Sequence, residues 1–113
     1  MLLPNADRAV IDGAKIHGYL LAHRHPIGRF KAAFFRTLGY SLQDWRSLEE
    51  DLRSQHLPSD AIPGQSNPYG QKYSIRATLV GPSGNSAVVV SIWVVRVGEE
   101  VPRFVTAYPE VGT

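Results

Sequence analysis

The chain contains no cysteine, which excludes disulfide frameworks, thiolate zinc sites and cysteine nucleophiles. It has no uninterrupted apolar run approaching the roughly 18–20 residues that a membrane helix needs. Its first residues, Met1-Leu2-Leu3-Pro4-Asn5-Ala6-Asp7, lack the basic start and long apolar stretch of a secretory signal. The expectation is therefore a chain without a membrane partner, cytoplasmic as written and exported only as a piece of a larger protein. Charge of one sign is also scarce, since 12 Lys and Arg face 10 Asp and Glu, for a formal charge of +2. That balance permits an anionic partner without demanding one. No dinucleotide fingerprint, phosphate loop or nucleophile elbow is present: Gly81-Pro82-Ser83-Gly84 lacks the Lys and the following helix of a phosphate loop and reads as a hairpin turn.

What is there is one globular domain. The chain has 113 residues, of which 43% are hydrophobic and 19% charged, enough for a single core and too few for two. Residues 13 to 57 carry helical spacing and residues 69 to 108 carry strand spacing. Between them the proline-rich stretch 58–68 reads as a loop, because proline withholds a donor and forces its predecessor extended. Ala9-Val10-Ile11 reads as a short edge strand, with Asp12 placed to cap a helix beginning near Ala14. Ile16, Tyr19 and Leu20 form that helix's buried stripe. A second helix carries Ile27, Phe30, Phe34 and Leu38 on one face and ends at Gly39. Ser41 to Asp44 resembles a capping box for a third helix with Leu42, Trp45, Leu48 and Leu52. In the second half, Tyr73, Ile75, Ala77 and Leu79 share one parity, and Lys72, Ser74, Arg76 and Thr78 the other. A nearly continuous apolar run, Ala87 to Val97, predicts a central strand, and Arg103 to Tyr108 a final one. Helices first and a meander afterwards predict an α+β fold, with N-terminal helices on one face of a three- to four-stranded antiparallel sheet.

Two constellations carry candidate chemistry. The first is the sheet parity with Lys72, Ser74, Arg76 and Thr78, joined by Thr106 and Tyr108 from the last strand and by Ser91 and Trp93 from the central one. Cations hold phosphate and rings stack on bases, so such a face suits RNA; alternation alone also produces half-solvated faces of this kind. The second is His25-Pro26-Ile27-Gly28-Arg29-Phe30-Lys31, where an imidazole near a helix start is followed by an ammonium. Histidine exchanges a proton near neutral pH, and Lys31 is able to neutralise charge building on a phosphorane. Three imidazoles, His17, His23 and His25, lie close in sequence, but no Asp or Glu stands at recognisable ligand spacing, so no metal and no cofactor are expected. Glu49-Glu50-Asp51 radiates around a helix and reads as a solvated face.

The strings Asp12-Gly13-Ala14-Lys15, Tyr19-Leu20-Leu21, His25-Pro26-Ile27-Gly28, Lys31-Ala32, Phe34-Phe35 and Leu38-Gly39-Tyr40 resemble an uncharacterised bacterial domain family. So do Tyr69-Gly70-Gln71-Lys72-Tyr73, Gly81-Pro82, Trp93, Pro102-Arg103-Phe104 and Thr106-Ala107-Tyr108, which extends the likeness over about residues 4 to 109. The chain is also similar to the C-terminal toxin domains of contact-dependent inhibition systems, which follow the plan of the barnase/RelE/colicin-nuclease superfamily. This resemblance implies a metal-independent ribonuclease with His25, Lys31, Lys72 and Thr106 as catalytic residues and Tyr108 binding substrate; strand parity adds Arg76, and the central strand Trp93, as further substrate-binding candidates. It also implies RNA as substrate and an immunity-type protein as partner. One departure is Arg29-Phe30, which stands where the toxins tend to carry glycines. The other expectation from the residues is a small non-catalytic binding module, with a basic face for nucleic acid or protein and edge strands able to pair copies into a homo-oligomer.

Overall fold

A computed structural model of the chain describes residues 1–22, 24 and 28–110. The order of elements is a 3₁₀ turn (Ala6–Arg8), α1 (Gly13–Lys15) running on as a π-helical turn (Ile16–Leu20), α2 (Gly28–Thr37), and α3 (Trp45–Asp51) running on as a second π-helical turn (Leu52–His56). Four strands follow: β1 (Ala61–Asn67), β2 (Gly70–Val80), β3 (Ser86–Arg96) and β4 (Arg103–Pro109). They form one antiparallel sheet in the order β1-β2-β3-β4. The fold is α+β with the helices N-terminal to the sheet, as the pattern predicts.

Local signals account for most helix ends. The Asp12 side chain accepts from the Ala14 N–H at 3.0 Å and starts α1. Ser41 Oγ accepts from the Asp44 N–H at 3.2 Å ahead of α3. Gly39, at φ +98°, terminates α2 in a conformation that costs other residues strain. Immediately beyond it the Ser83 N–H donates to the Leu38 carbonyl at 3.1 Å, which ties the end of α2 to the β2–β3 turn. Tyr40, buried behind that cap, donates to Asp51 at 2.6 Å and links α2 to α3.

The core lies between the helices and one sheet face. Ile16, Leu20, Phe35, Leu38, Leu48 and Leu52 pack from the helical side against Ile75, Leu79, Val89, Trp93, Phe104 and Ala107 from the strands. The other strand parity is exposed or half-buried, except at Gly70 where β2 begins. Among the described residues, no helix is long and apolar enough to cross a membrane.

Four expectations need correction. The stretch 58–68 is not a plain loop: it contains β1, which pairs with β2 from Ala61↔Ile75 onward and slips register between Pro63 and Ser66. Pro63 is tolerated because an edge strand has one side free of ladder bonds. Helix α2 is rotated from the expected stripe, so that Phe35 is fully buried and Phe30 is 69% exposed. Leu42, expected in the core, is exposed as well. Ala9-Val10-Ile11 forms a single parallel bridge, Val10↔Arg103, rather than a strand.

Candidate active site at the edge of the sheet

The sheet register arranges the outward parity in rows. Lys72 stands opposite Val94 and, beyond it, Arg103; Ser74 opposite Ile92 and then Thr106; Arg76 opposite Val90 and then Tyr108. The result is a half-buried apolar stripe on β3, flanked by cations and hydroxyls on β2 and β4. Two interstrand spacings, about 10 Å, separate the flanks. A β-bulge between Ile92 and Trp93 inserts Val105 into β4, and this returns Thr106 to the row of Ser74 while Phe104 stays beside Trp93 in the core.

Lys31 connects the helical half to this face. Its Nζ donates to Thr106 Oγ1 at 3.3 Å and also to the Tyr19 hydroxyl, and it lies 4.8 Å from the Tyr19 ring centroid. Tyr19, Lys31 and Thr106 come from α1's π-turn, α2 and β4, and all three are half-buried. Partial burial pushes the Tyr19 phenol up. The hydrogen bonds from Lys31 and Thr106, with the positive charges of Lys31 and Lys15, outweigh it, and the phenol sits below its ordinary value. An ammonium, a phenol and an alcohol therefore converge where solvent still reaches, which is an arrangement able to bind an oxyanion and move a proton.

The remaining sequence-derived candidates divide. His25 lies outside the described residues, as does His23. Lys72 and Arg76 are exposed on the outward parity, and Tyr108 is 38% exposed on the same side. Arg76 is already occupied: its guanidinium pairs with the Glu110 carboxylate, which raises the arginine's pKa and lowers that of the acid. Trp93 is a correction. It is fully buried, on the parity of Tyr73 and Ile75, stacked edge-on with Phe104 at 5.2 Å, and its Nε1–H donates to Ser91 Oγ at 2.9 Å. In an apolar run both parities look alike, so spacing could not tell which one faces the helices. Ser91 is buried with it.

Tyr19 was legible only as core, because it falls on the Ile16/Leu20 stripe. The signal available was its hydroxyl, which on a packed face needs a polar partner. His17 packs edge-on against Trp45 at 5.0 Å. Among the described residues no group of three His, Asp or Glu side chains is arranged to hold a metal.

Residues 2–111 match the family described as a domain of unknown function (DUF6883). No curated protein matches the sequence. One chain of a solved contact-dependent growth inhibition toxin–immunity protein complex from Klebsiella pneumoniae 342 has a similar fold. The two superpose with a TM-score of 0.69 over 95% of this chain and 97% of that one, at 21% identity.

Proposed function

The chain belongs to the domain family of unknown function DUF6883, and from that premise we propose that it is a toxin-type, metal-independent endoribonuclease of the barnase/RelE/colicin-nuclease plan. The observation that carries the reading is the contact of Lys31 with Thr106, which joins an ammonium from the helical half to the outward face of the sheet. Shared fold with a chain of a toxin–immunity complex supports the same reading and an immunity-type protein as partner.

The reaction is an intramolecular transesterification. A base removes the 2′-hydroxyl proton, the O2′–P bond forms and the P–O5′ bond breaks, and a proton goes to the departing O5′. The products end in a 2′,3′-cyclic phosphate and a 5′-hydroxyl. His25 serves in proton transfer, and Lys31, Lys72 and Arg76 neutralise the charge on the phosphorane. Thr106 and Tyr108 position the phosphate and a neighbouring base. Engaging Arg76 requires the substrate phosphate to displace Glu110.

Incubation with total RNA in excess chelator tests the reading. Wild type cleaves, and Lys31→Ala and His25→Ala lose cleavage; intact RNA under all conditions refutes it. A second reading, a non-catalytic module, is favoured by the half-buried row Val88, Val90, Ile92 and Val94, which suits a protein surface. Binding of RNA or of a protein partner without any cleavage supports that alternative.

A further inference from the structure

We propose that Tyr19 is the general acid of the cleavage, delivering its phenolic proton to the departing 5′ oxygen. This rests on the ribonuclease reading and assigns within it the proton role that one histidine leaves open. Transesterification needs two proton transfers, one from the 2′-hydroxyl and one to O5′. If His25 accepts the first proton, the second needs a group that is protonated at neutral pH and tolerates becoming an anion.

The geometry supports the second condition. Lys31 Nζ donates to the Tyr19 oxygen, so the ammonium stabilises the phenolate that remains after the proton has left. The same Lys31 reaches Thr106, which sets the phenol beside the point where the outward face meets α2. Among the described residues, the groups at the hydroxyl include Lys31 from α2 and Thr106 from β4, and Lys15 from its own element adds positive charge; Lys31 and Lys15 both favour proton release. The step starts from the neutral side chain, which carries the phenolic proton to be delivered. The ring is carried on a π-turn, a distortion that places Tyr19 and Leu20 in a wider winding than an α-helix allows.

In the step itself, the P–O5′ bond breaks with its electron pair going to O5′, the Tyr19 proton moves to O5′, and the phenolate remains paired with Lys31. The cycle closes when the phenolate regains a proton from water or from protonated His25.

The test compares two substrates. One is an oligoribonucleotide, whose 5′-alkoxide leaving group needs the proton. The other is uridine 3′-(4-nitrophenyl phosphate), whose leaving group departs without one. Tyr19→Phe is expected to lower the rate on the oligoribonucleotide about 10²–10⁴-fold, to cleave the nitrophenyl ester within a few-fold of wild type, and to lose the alkaline limb of the pH–rate profile. Lys31→Ala is expected to fail on both substrates. Wild-type levels of RNA cleavage by Tyr19→Phe, or an equal loss on both substrates, overturns the assignment while leaving the ribonuclease reading standing. A wild-type protein that cleaves neither substrate removes both.

Discussion

Among the described residues, two of the polar side-chain clusters that join helix to sheet are built alike. In each, a π-helical turn carries a ring whose polar atom meets a hydroxyl on a strand: Tyr19 with Lys31 and Thr106 at the β4 edge, His56 with Ser91 and Trp93 under α3. The second is sealed. His56 and Ser91 have no exposed surface, His56 Nδ1 lies 2.8 Å from Ser91 Oγ, and Trp93 donates to the same oxygen. The first is half-open and contains a charge. Burial without a counter-charge keeps the histidine neutral, with its pKa lowered to about 4, against a weak opposite pull from the Ala77 backbone. At Tyr19 partial burial disfavours the anion, but the hydrogen bonds from Lys31 and Thr106 and the nearby positive charge outweigh it. Similar local architecture therefore serves packing in one place and, in the proposed function, chemistry in the other, and what separates the two is access to solvent and the presence of a cation.

The largest expected effect falls on the open cluster. Lys31→Ala lowers RNA cleavage about 10³-fold, while its urea midpoint stays near wild type; a rate within a few-fold of wild type would put the site elsewhere. The sealed cluster responds to acid instead. His56 binds its proton less readily folded than unfolded, so the unfolded state takes up more protons between about pH 6.5 and 4. Stability is full above that window and falls through it, by about 3 kcal/mol at pH 4. Urea unfolding at stepped pH reads this loss, and a His56→Gln variant should lack the part of the slope that belongs to the ring. Somewhat smaller is Ser91→Ala, which strands two buried ring nitrogens at a cost of about 2 kcal/mol. Its activity per folded molecule stays unchanged, and a selective loss of turnover would erase the distinction between the clusters. The smallest effect is at the rim. Glu110→Gln frees Arg76 and raises RNA affinity a few-fold in a filter-binding assay at low salt, an increase that fades as salt rises.

The parts of this fold legible from sequence were those with a local cause. The Asp12 cap, the Gly39 stop and the alternation of Lys72 to Leu79 each place an element through the chain's immediate neighbours. Where tertiary contacts decide, spacing misled. Phe30 and Phe35 both fit a helical stripe, and only docking against the core chooses Phe35. Pro63 signals a loop until β2 offers an edge to pair with. Trp93 sits in a run apolar on both parities, so its burial depends on which face the helices cover. Of the candidate site, Lys31 and Thr106 are legible as an ammonium near a helix start and a hydroxyl on a strand, and the family resemblance sets them in one site. Their contact depends on a β4 bulge for which no residue pattern gave notice, and Tyr19 was concealed by a stripe in which it also packs.

The most direct measurement is the chemistry of the RNA ends left by the purified protein in excess chelator. The account predicts 2′,3′-cyclic phosphate and 5′-hydroxyl termini, present with wild type and absent with Lys31→Ala. Ends bearing 3′-hydroxyl and 5′-phosphate, or cleavage that persists undiminished without Lys31, would contradict it.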